Sequence, residues 1–459
     1  MDYDVMVLGG GAAGLTAAEA AVRAGVRVVL VSEGELGGDC TFTGCVPSKT
    51  LIESAAQGLS YPQALERVHR TIERIAATEN AEVLRERGIE VIRGRARFRS
   101  ADTVEVDGRR LRAARTVIAT GTVPAVPSIP GITDVPFLTT DTVFDHTDQP
   151  ESMAIIGGGA VGCELAQALS RLGVVVHLIE TAARLLPGVD SDAAASIAKI
   201  LTEDGVSVHT ATEVTSVTED RTGIILSTDT GTSITVERLL MATGRTPQTA
   251  GLDLDNAGVR TDDQGFVAVD RHLATTTATV YAAGDVTGLS PFTHAAAAMG
   301  RTAVAAALRR HRRPVFDPLG IPRVVFTDPE VATVGFGEHE VGERARVAVL
   351  AMSELDRAIT AERTIGFVKL IAGPRRILGM VGGGRILGAT IVAARAGELI
   401  HEPALAMRTG MFTGRLAQTV HAYPTWSMAV QQAAAQFFGY GDSPRRPRRD
   451  GRDRSLSAR

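Results

Sequence analysis

Apolar runs of strand length alternate along this chain with glycine turns and alanine-rich stretches. Tyr3-Asp4-Val5-Met6-Val7-Leu8 is the first run; Gly9-Gly10-Gly11-Ala12-Ala13-Gly14 breaks it, and an alanine-rich helical stretch follows to about Ala24. Val26 to Glu33 is a second run, β-branched and of strand length. The same order returns at 153–180: Met153 to Ile156, Gly157-Gly158-Gly159-Ala160-Val161-Gly162, a helical stretch, then Val174 to Glu180. Two such units, 148 residues apart from Gly9 to Gly157, imply two nucleotide-binding domains of α/β class.

Between and beyond the units the pattern is plainer. Residues 57–90 read as helical, with Leu65, Val68, Ile72 and Ile75 at mixed three- and four-residue spacing. Short strands are predicted near Val91–Phe98, Thr103–Val106 and Thr116–Ala119, and the prolines between Val123 and Gly131 mark a crossover. From Pro322 to about 440 strands and helices alternate without a nucleotide-type glycine turn, which predicts a separate α+β domain. Residues 441–459 hold seven arginines, three aspartates and almost no apolar side chain, the composition of a disordered, solvated basic tail.

Composition narrows the function classes. At 459 residues the chain is too long for one core and fits two or three domains. A net charge of −4 gives no field for a polyanion, so nucleic acid is not an expected partner. No apolar run approaches the roughly 18–20 residues that span a bilayer, so no membrane role is expected. Met1-Asp2-Tyr3-Asp4 leads into a strand with no basic region before it, which argues for a cytoplasmic enzyme. The three cysteines make no disulfide-stapled scaffold; two of them, five apart among glycines, read as redox chemistry or metal binding.

Each glycine turn follows an apolar strand, opens a helix and is answered by an acidic residue closing the next strand. Glu33 lies 24 residues after Gly9, and Glu180 lies 23 after Gly157. A dinucleotide needs that context: a tight turn, backbone close to pyrophosphate, a helix N-terminus aimed at phosphate and a carboxylate on ribose hydroxyls.

The segment Gly37-Gly38-Asp39-Cys40-Thr41-Phe42-Thr43-Gly44-Cys45-Val46-Pro47-Ser48-Lys49 carries the sharpest chemistry. Four intervening residues let two cysteines close a small disulfide ring. Pro47 suits the first turn of a helix, which puts Cys45 at a helix N-terminus where the dipole favours thiolate. A metal site would need two more ligands, and no Cys-x-x-Cys or histidine cluster supplies them; no metal site is expected. Lys49 is one of only three lysines, with 199 and 369.

These residues together resemble the class I pyridine nucleotide-disulfide oxidoreductases, the family of glutathione reductase, lipoamide dehydrogenase and mercuric reductase. The likeness spans about residues 1–440 and includes Ala119-Thr120-Gly121, Ala242-Thr243-Gly244-Arg245-Thr246-Pro247, Tyr281-Ala282-Ala283-Gly284-Asp285 and Phe326-Thr327-Asp328-Pro329-Glu330. It implies two Rossmann-like domains and a C-terminal α+β dimerisation domain. The expected divisions are FAD binding in 1–150 and 266–318, NAD(P) binding in 151–265, dimerisation in 319–440 and a tail in 441–459.

By the same resemblance Gly9, Gly11, Gly14, Glu33 and Gly121 would hold FAD, with Asp285 on its ribityl chain. Cys45 would be the thiolate facing the flavin and Cys40 the interchange thiol; Lys49 would lie near the flavin and pair with Glu164. Gly157, Gly159, Gly162, Glu180 and Gly244 would serve the nicotinamide dinucleotide, with Glu180 favouring NADH over NADPH and Arg184 softening that preference. Cys163 reads as a small packed hydrophobe rather than a third redox thiol.

The chain departs from the family near its end. Many members place a histidine and, five residues on, a glutamate as acid and base for the interchange thiol; here Tyr423 and Met428 stand at those positions, and His421 is two positions off. An unperturbed tyrosine, with pKa near 10, is a poor proton shuttle at neutral pH. Tyrosine here resembles mercuric reductase, although the C-terminal cysteine pair of those enzymes is missing. The expected function is electron transfer from NAD(P)H through FAD and Cys40–Cys45 to a small-molecule or metal-ion acceptor, in a homodimer. The alternatives are dihydrolipoyl dehydrogenase with His421 in service, or a redox-sensing flavin-binding protein with little turnover.

Overall fold

The computed structural model describes residues 1–309 and 311–448, which form two compact units: 1–181 with 205–318, and 182–204 with 319 onward.

The first unit begins as its hydrophobic pattern requires. Strand Tyr3–Leu8 is buried on both faces, and it pairs in parallel with Val28–Ser32 on one side and Arg109–Ile118 on the other. Glu90–Arg93 extends this sheet, Val280–Ala282 joins it parallel to Arg109–Ile118, and Thr103–Val106 and Ala96–Ser100 complete it antiparallel. Helix Ala12–Arg23 buries Ala17, Ala18 and Ala21 completely. Its small residues admit helix Thr293–Leu308 so closely that a Cβ on Gly300 would stand 2.2 Å from the Ala13 carbonyl oxygen. That approach fixes where Thr293 lies.

The second glycine unit repeats the plan. Strands Val175–Ile179, Ser152–Ile156 and Arg238–Met241 are parallel neighbours, with Ser207–His209 and Leu138–Thr139 at the edges. A three-stranded antiparallel sheet over 214–236 covers one face through Val217, Leu226 and Val236. The expected crossover is a two-stranded link, in which Thr122–Pro124 pairs antiparallel with Arg245–Pro247.

The helical stretch predicted over 57–90 is two helices, Tyr61–Ala76 and Ala81–Glu86. Asn80 divides them: its Oδ1 accepts from the amides of Glu82 and Val83, which starts a new helix rather than continuing the old one.

The second unit is a five-stranded antiparallel sheet, ordered Arg323–Val325, Glu330–Gly335, Arg385–Ala393, Phe367–Gly373 and Arg346–Ala351, with helix Met428–Ala435 packed on it. Helix Ser191–Glu203 belongs to this unit although its sequence lies within the span expected for NAD(P) binding. The reason is Lys369, only 1% exposed, whose Nζ lies 2.9 Å from Asp190 and Asp192 and 3.0 Å from Glu338.

The expected disordered tail is corrected over 441–448. Arg445 exchanges backbone hydrogen bonds of 2.8 and 2.9 Å with Val347, and its guanidinium pairs with Glu338, a buried carboxylate that also accepts from the Arg448 amide. The remainder, 449–459, lies outside the described residues.

Candidate active site

The two glycine turns are near copies. Gly9 and Gly157 adopt φ of +111° and +114°, and a Cβ on either would stand 2.2 or 2.3 Å from a carbonyl oxygen, of Ala119 or Ala242. A Cβ on Gly14 or Gly162 would stand 1.9 Å from the carbonyl oxygen of Gly9 or Gly157. Gly11 and Gly159, the residues before the two helices, face open space, and neither helix has a side chain capping its first amides. Uncapped helix N-termini behind an open glycine are made for an anion such as pyrophosphate. Glu33 follows the end of the second strand of its unit and is exposed; Glu180 holds the same place in the repeat but is half-buried, and its Oε2 accepts from the Gly158 amide at 2.7 Å.

Beside the first turn, the Thr120 hydroxyl oxygen is buried with no hydrogen-bond partner among the described residues, an orphan that a bound cofactor would satisfy. Burial pushes the Asp285 carboxyl up to about 6 against the pull of Arg245. Gly121 and Gly244 end matching segments and have open space on the side a Cβ would take. Cradle, orphaned hydroxyl and carboxylate together fit a flavin dinucleotide at the first turn.

Neither cysteine of the sharp motif is in a disulfide here. Cys40 lies in the short helix Gly38–Phe42, and Cys45 is the first residue of helix Cys45–Ala56, with Pro47 in its first turn. Sequence reasoning missed Thr293: its Oγ1 is 3.2 Å from Cys45 Sγ, and it opens a 16-residue helix of its own. Two helix N-termini thus meet at one sulfur.

The Cys40 thiol donates to Cys45, and that bond, with Thr293 and the charge of Lys49, outweighs burial and brings Cys45 down to about 5. The same bond, with burial, holds Cys40 far above the ordinary thiol range. The bond therefore favours negative charge on Cys45, the sulfur on which Lys49 also acts, over Cys40. Lys49 Nζ donates to Glu164 Oε2 at 2.7 Å. Cys163 is fully buried, Sγ against the Gly158 carbonyl, and burial raises its pKa.

The structure brings Cys40, Cys45, Lys49 and Glu164 together in the first unit. A second group appears there that sequence reasoning did not assemble: Arg245 donates to Asp39 and Thr122, and Asp141 accepts from Thr43 on the cysteine segment.

Tyr423 belongs to the second unit, exposed to 70%, and its hydroxyl donates to Asp356 Oδ2 at 3.0 Å, which raises its pKa further. Met428 is half-buried and packs against the apolar core. His421 is committed locally: Nδ1 lies 2.9 Å from the Thr419 carbonyl oxygen and Nε2 3.2 Å from Glu402 Oε2. Among the described residues no group of three or more His, Cys, Asp or Glu is arranged to hold a metal, and no helix is long and apolar enough to cross a membrane.

Comparison with known proteins places this geometry. Residues 3–300 match the family described as pyridine nucleotide-disulphide oxidoreductase, and 321–434 match its dimerisation domain. Mercuric reductase from Streptomyces lividans is 34% identical over 465 residues, covering 95% of this chain and 96% of that protein. Dihydrolipoyl dehydrogenase from Thermus scotoductus is 33% identical over 458 residues, covering 94% and 96%. Among solved structures, the Cu(II) complex of the HOCl-induced flavoprotein disulfide reductase RclA from Escherichia coli aligns with a TM-score of 0.87 at 29% identity, over 95% of this chain and 99% of that one.

Proposed function

The chain belongs to the pyridine nucleotide-disulphide oxidoreductase family, FAD-dependent enzymes that use NAD(P)H; from that premise we propose that it passes electrons through flavin and the Cys40–Cys45 pair to a small acceptor that needs little proton catalysis. A metal ion, a quinone or a similar oxidant qualifies. The flavin, when bound, supplies two-electron chemistry between nicotinamide and disulfide. The protein's own residues do the rest: the glycine turns at 9–14 and 157–162 seat the dinucleotides, Cys45 presents a thiolate, Lys49 stabilises negative charge beside it, and Cys40 meets the acceptor.

One observation carries the choice of acceptor class. The position where the family's acid-base histidine is expected holds Tyr423, whose proton is engaged with Asp356 and whose pKa is raised. A disulfide acceptor releases thiolates that need protons, whereas a metal ion takes electrons alone. A mercuric reductase among the relatives and a solved neighbour holding Cu(II) support the metal-ion side of this reading.

The rival, dihydrolipoyl dehydrogenase, has one observation in its favour: His421 and Glu402 form a histidine–carboxylate couple. Its weakness is that the other ring nitrogen is bound to the Thr419 carbonyl, so both are engaged.

Glu180, seated on the Gly158 amide, would repel a 2′-phosphate, and Arg184 donates to the Pro187 and Val189 carbonyls; NADH is the preferred donor in this reading. In this reading residues 1–150 and 266–318 bind FAD, 151–181 and 205–265 bind the nicotinamide dinucleotide, and 319–440 make a homodimer. The test is stopped-flow reduction by NADH and by NADPH, followed by lipoamide, mercuric ion, cupric ion and quinones as acceptors. Lipoamide or dihydrolipoamide turnover at the rate of the best acceptor would overturn the proposal.

A further inference from the structure

The cysteine segment holds a charged couple that none of the roles above uses. Asp39, one residue before Cys40, contacts Arg245 through Oδ2 and Nη2. Arg245 is fixed in turn by Thr122: Nε donates to Thr122 Oγ1 at 2.7 Å, and Nη2 donates to the Thr122 carbonyl at 2.9 Å. A guanidinium with several of its donors engaged is a rigid fork, not a mobile counter-ion.

Three residues before Arg245, the Ala242 carbonyl forms the wall of the second glycine turn. The backing of that turn and the cation on the cysteine segment therefore lie on one short stretch of chain. On the far side of Cys40, the Thr43 amide donates to the Asp39 carbonyl at 2.9 Å, and the Thr43 hydroxyl donates to Asp141 Oδ1 at 3.3 Å. The segment is thus held on both flanks.

Resting on the redox-pair reading, we propose that Asp39 and Arg245 are a positioning couple that fixes Cys40 against Cys45 and balances the charge around the two sulfurs. The groups facing this region are Asp39, Asp141, Asp285 and Arg245, with Glu79 near Cys40 and Lys49 and Glu164 near Cys45. Asp285 senses Arg245, Asp39 and Cys45 together, which puts all four in one electrostatic neighbourhood. Neutralising Arg245 leaves carboxylates around the sulfurs and disfavours thiolate. Neutralising Asp39 leaves the cation and favours it. A couple that only braced the fold would loosen the segment in the same way whichever partner was lost.

The experiment follows iodoacetamide alkylation of the flavin-loaded, dithiol-reduced protein against pH, reading the Cys40–Cys45 peptide by mass spectrometry. Asp39→Asn is expected to lower the midpoint of alkylation by about half a unit or more, and Arg245→Met to raise it by a similar amount. Arg245→Lys, which keeps the charge on a less rigid side chain, is expected to stay near wild type in midpoint and also guards against a misfolded Arg245→Met. Midpoints that move together, or not at all, overturn the couple. A wild-type midpoint near the ordinary thiol value of about 8.5, with the variants still moving it in opposite directions, would keep the couple and refute the redox-pair reading instead.

Discussion

Lys49 Nζ and Glu164 Oε2, 2.7 Å apart, tie helix Cys45–Ala56 to helix Ala160–Arg171. One helix starts at Cys45 and the other at the second glycine turn, so the ion pair joins the cysteine segment to that turn. Glu164 is 2% exposed, and Lys49 is one of three lysines among 48 Lys and Arg residues.

The ion pair sets opposite signs for its two variants. Lys49 pulls the Cys45 pKa down and Glu164 pushes it up. Lys49→Met should therefore raise the pH at which the Cys45 thiolate is lost, by up to about one unit, or about 1.4 kcal/mol. Glu164→Gln should lower it or leave it unchanged. The readout is the pH midpoint of the long-wavelength absorbance of the two-electron-reduced enzyme; a shift of the same sign in both would contradict the arrangement.

That absorbance is itself a prediction. If Cys45 faces the flavin as proposed, its thiolate should give a charge-transfer band after two-electron reduction, persisting at neutral pH and fading as pH falls through about 5. Cys45→Ser should abolish it. Cys40→Ser should show it without reductant, and Cys40→Ala should hold its thiolate less firmly than Cys40→Ser, because the largest influence on Cys45 is the hydrogen bond that Cys40 donates.

The second unit makes a stability prediction. Glu338 is buried, which alone would raise its pKa, but bonds from Arg445, the Arg448 amide and Lys369 bring it down to about 2. A depressed carboxylate stabilises the fold above its unfolded pKa, near 4.3, and that contribution is lost as pH falls from there through about 2. Arg445→Ala should cost on the order of 1–3 kcal/mol at pH 7. The difference from wild type in thermal melts should shrink as the solution is acidified through that window. A melt unchanged at pH 7 would show that the 441–448 segment does not hold the fold.

How much of this was legible in the sequence depends on how local each cause is. The glycine turns were readable because their demands fall within six residues: Gly14 must be small for the Gly9 carbonyl, and both lie in one motif. The helix opening at Cys45 was equally local, since Pro47 marks its first turn. The break at Asn80 was readable in principle from an asparagine cap, but the apolar spacing across it masked the signal. The partnership of Asp39 with Arg245 spans 206 residues, and that of Lys369 with Asp190 spans 179; nothing in either local pattern announces its partner. The arginine-rich end resembled a solvated tail because composition does not reveal that a buried Glu338 is waiting for two of its residues.

The last prediction concerns position 423. Tyr423 already donates to Asp356, so an imidazole placed there would find a carboxylate within reach without any second change. Met428, by contrast, packs against the apolar core, and Met428→Glu would set a carboxylate there at a cost of roughly 1–3 kcal/mol. Tyr423→His alone should therefore recover much of the acid-base function, raising disulfide or dithiol turnover by about 10²-fold within the 10²–10⁴ range of such catalysis. Adding Met428→Glu should lower the melting temperature more than it raises the rate. Flavin reduction by NADH should be nearly unchanged in both, since the glycine turns and Lys49 are untouched. Steady-state turnover of glutathione disulfide and lipoamide, beside stopped-flow flavin reduction, checks the prediction. If Tyr423→His leaves disulfide turnover flat while His421→Ala abolishes it in the otherwise native chain, the proton shuttle is His421 and the dihydrolipoyl dehydrogenase reading takes precedence.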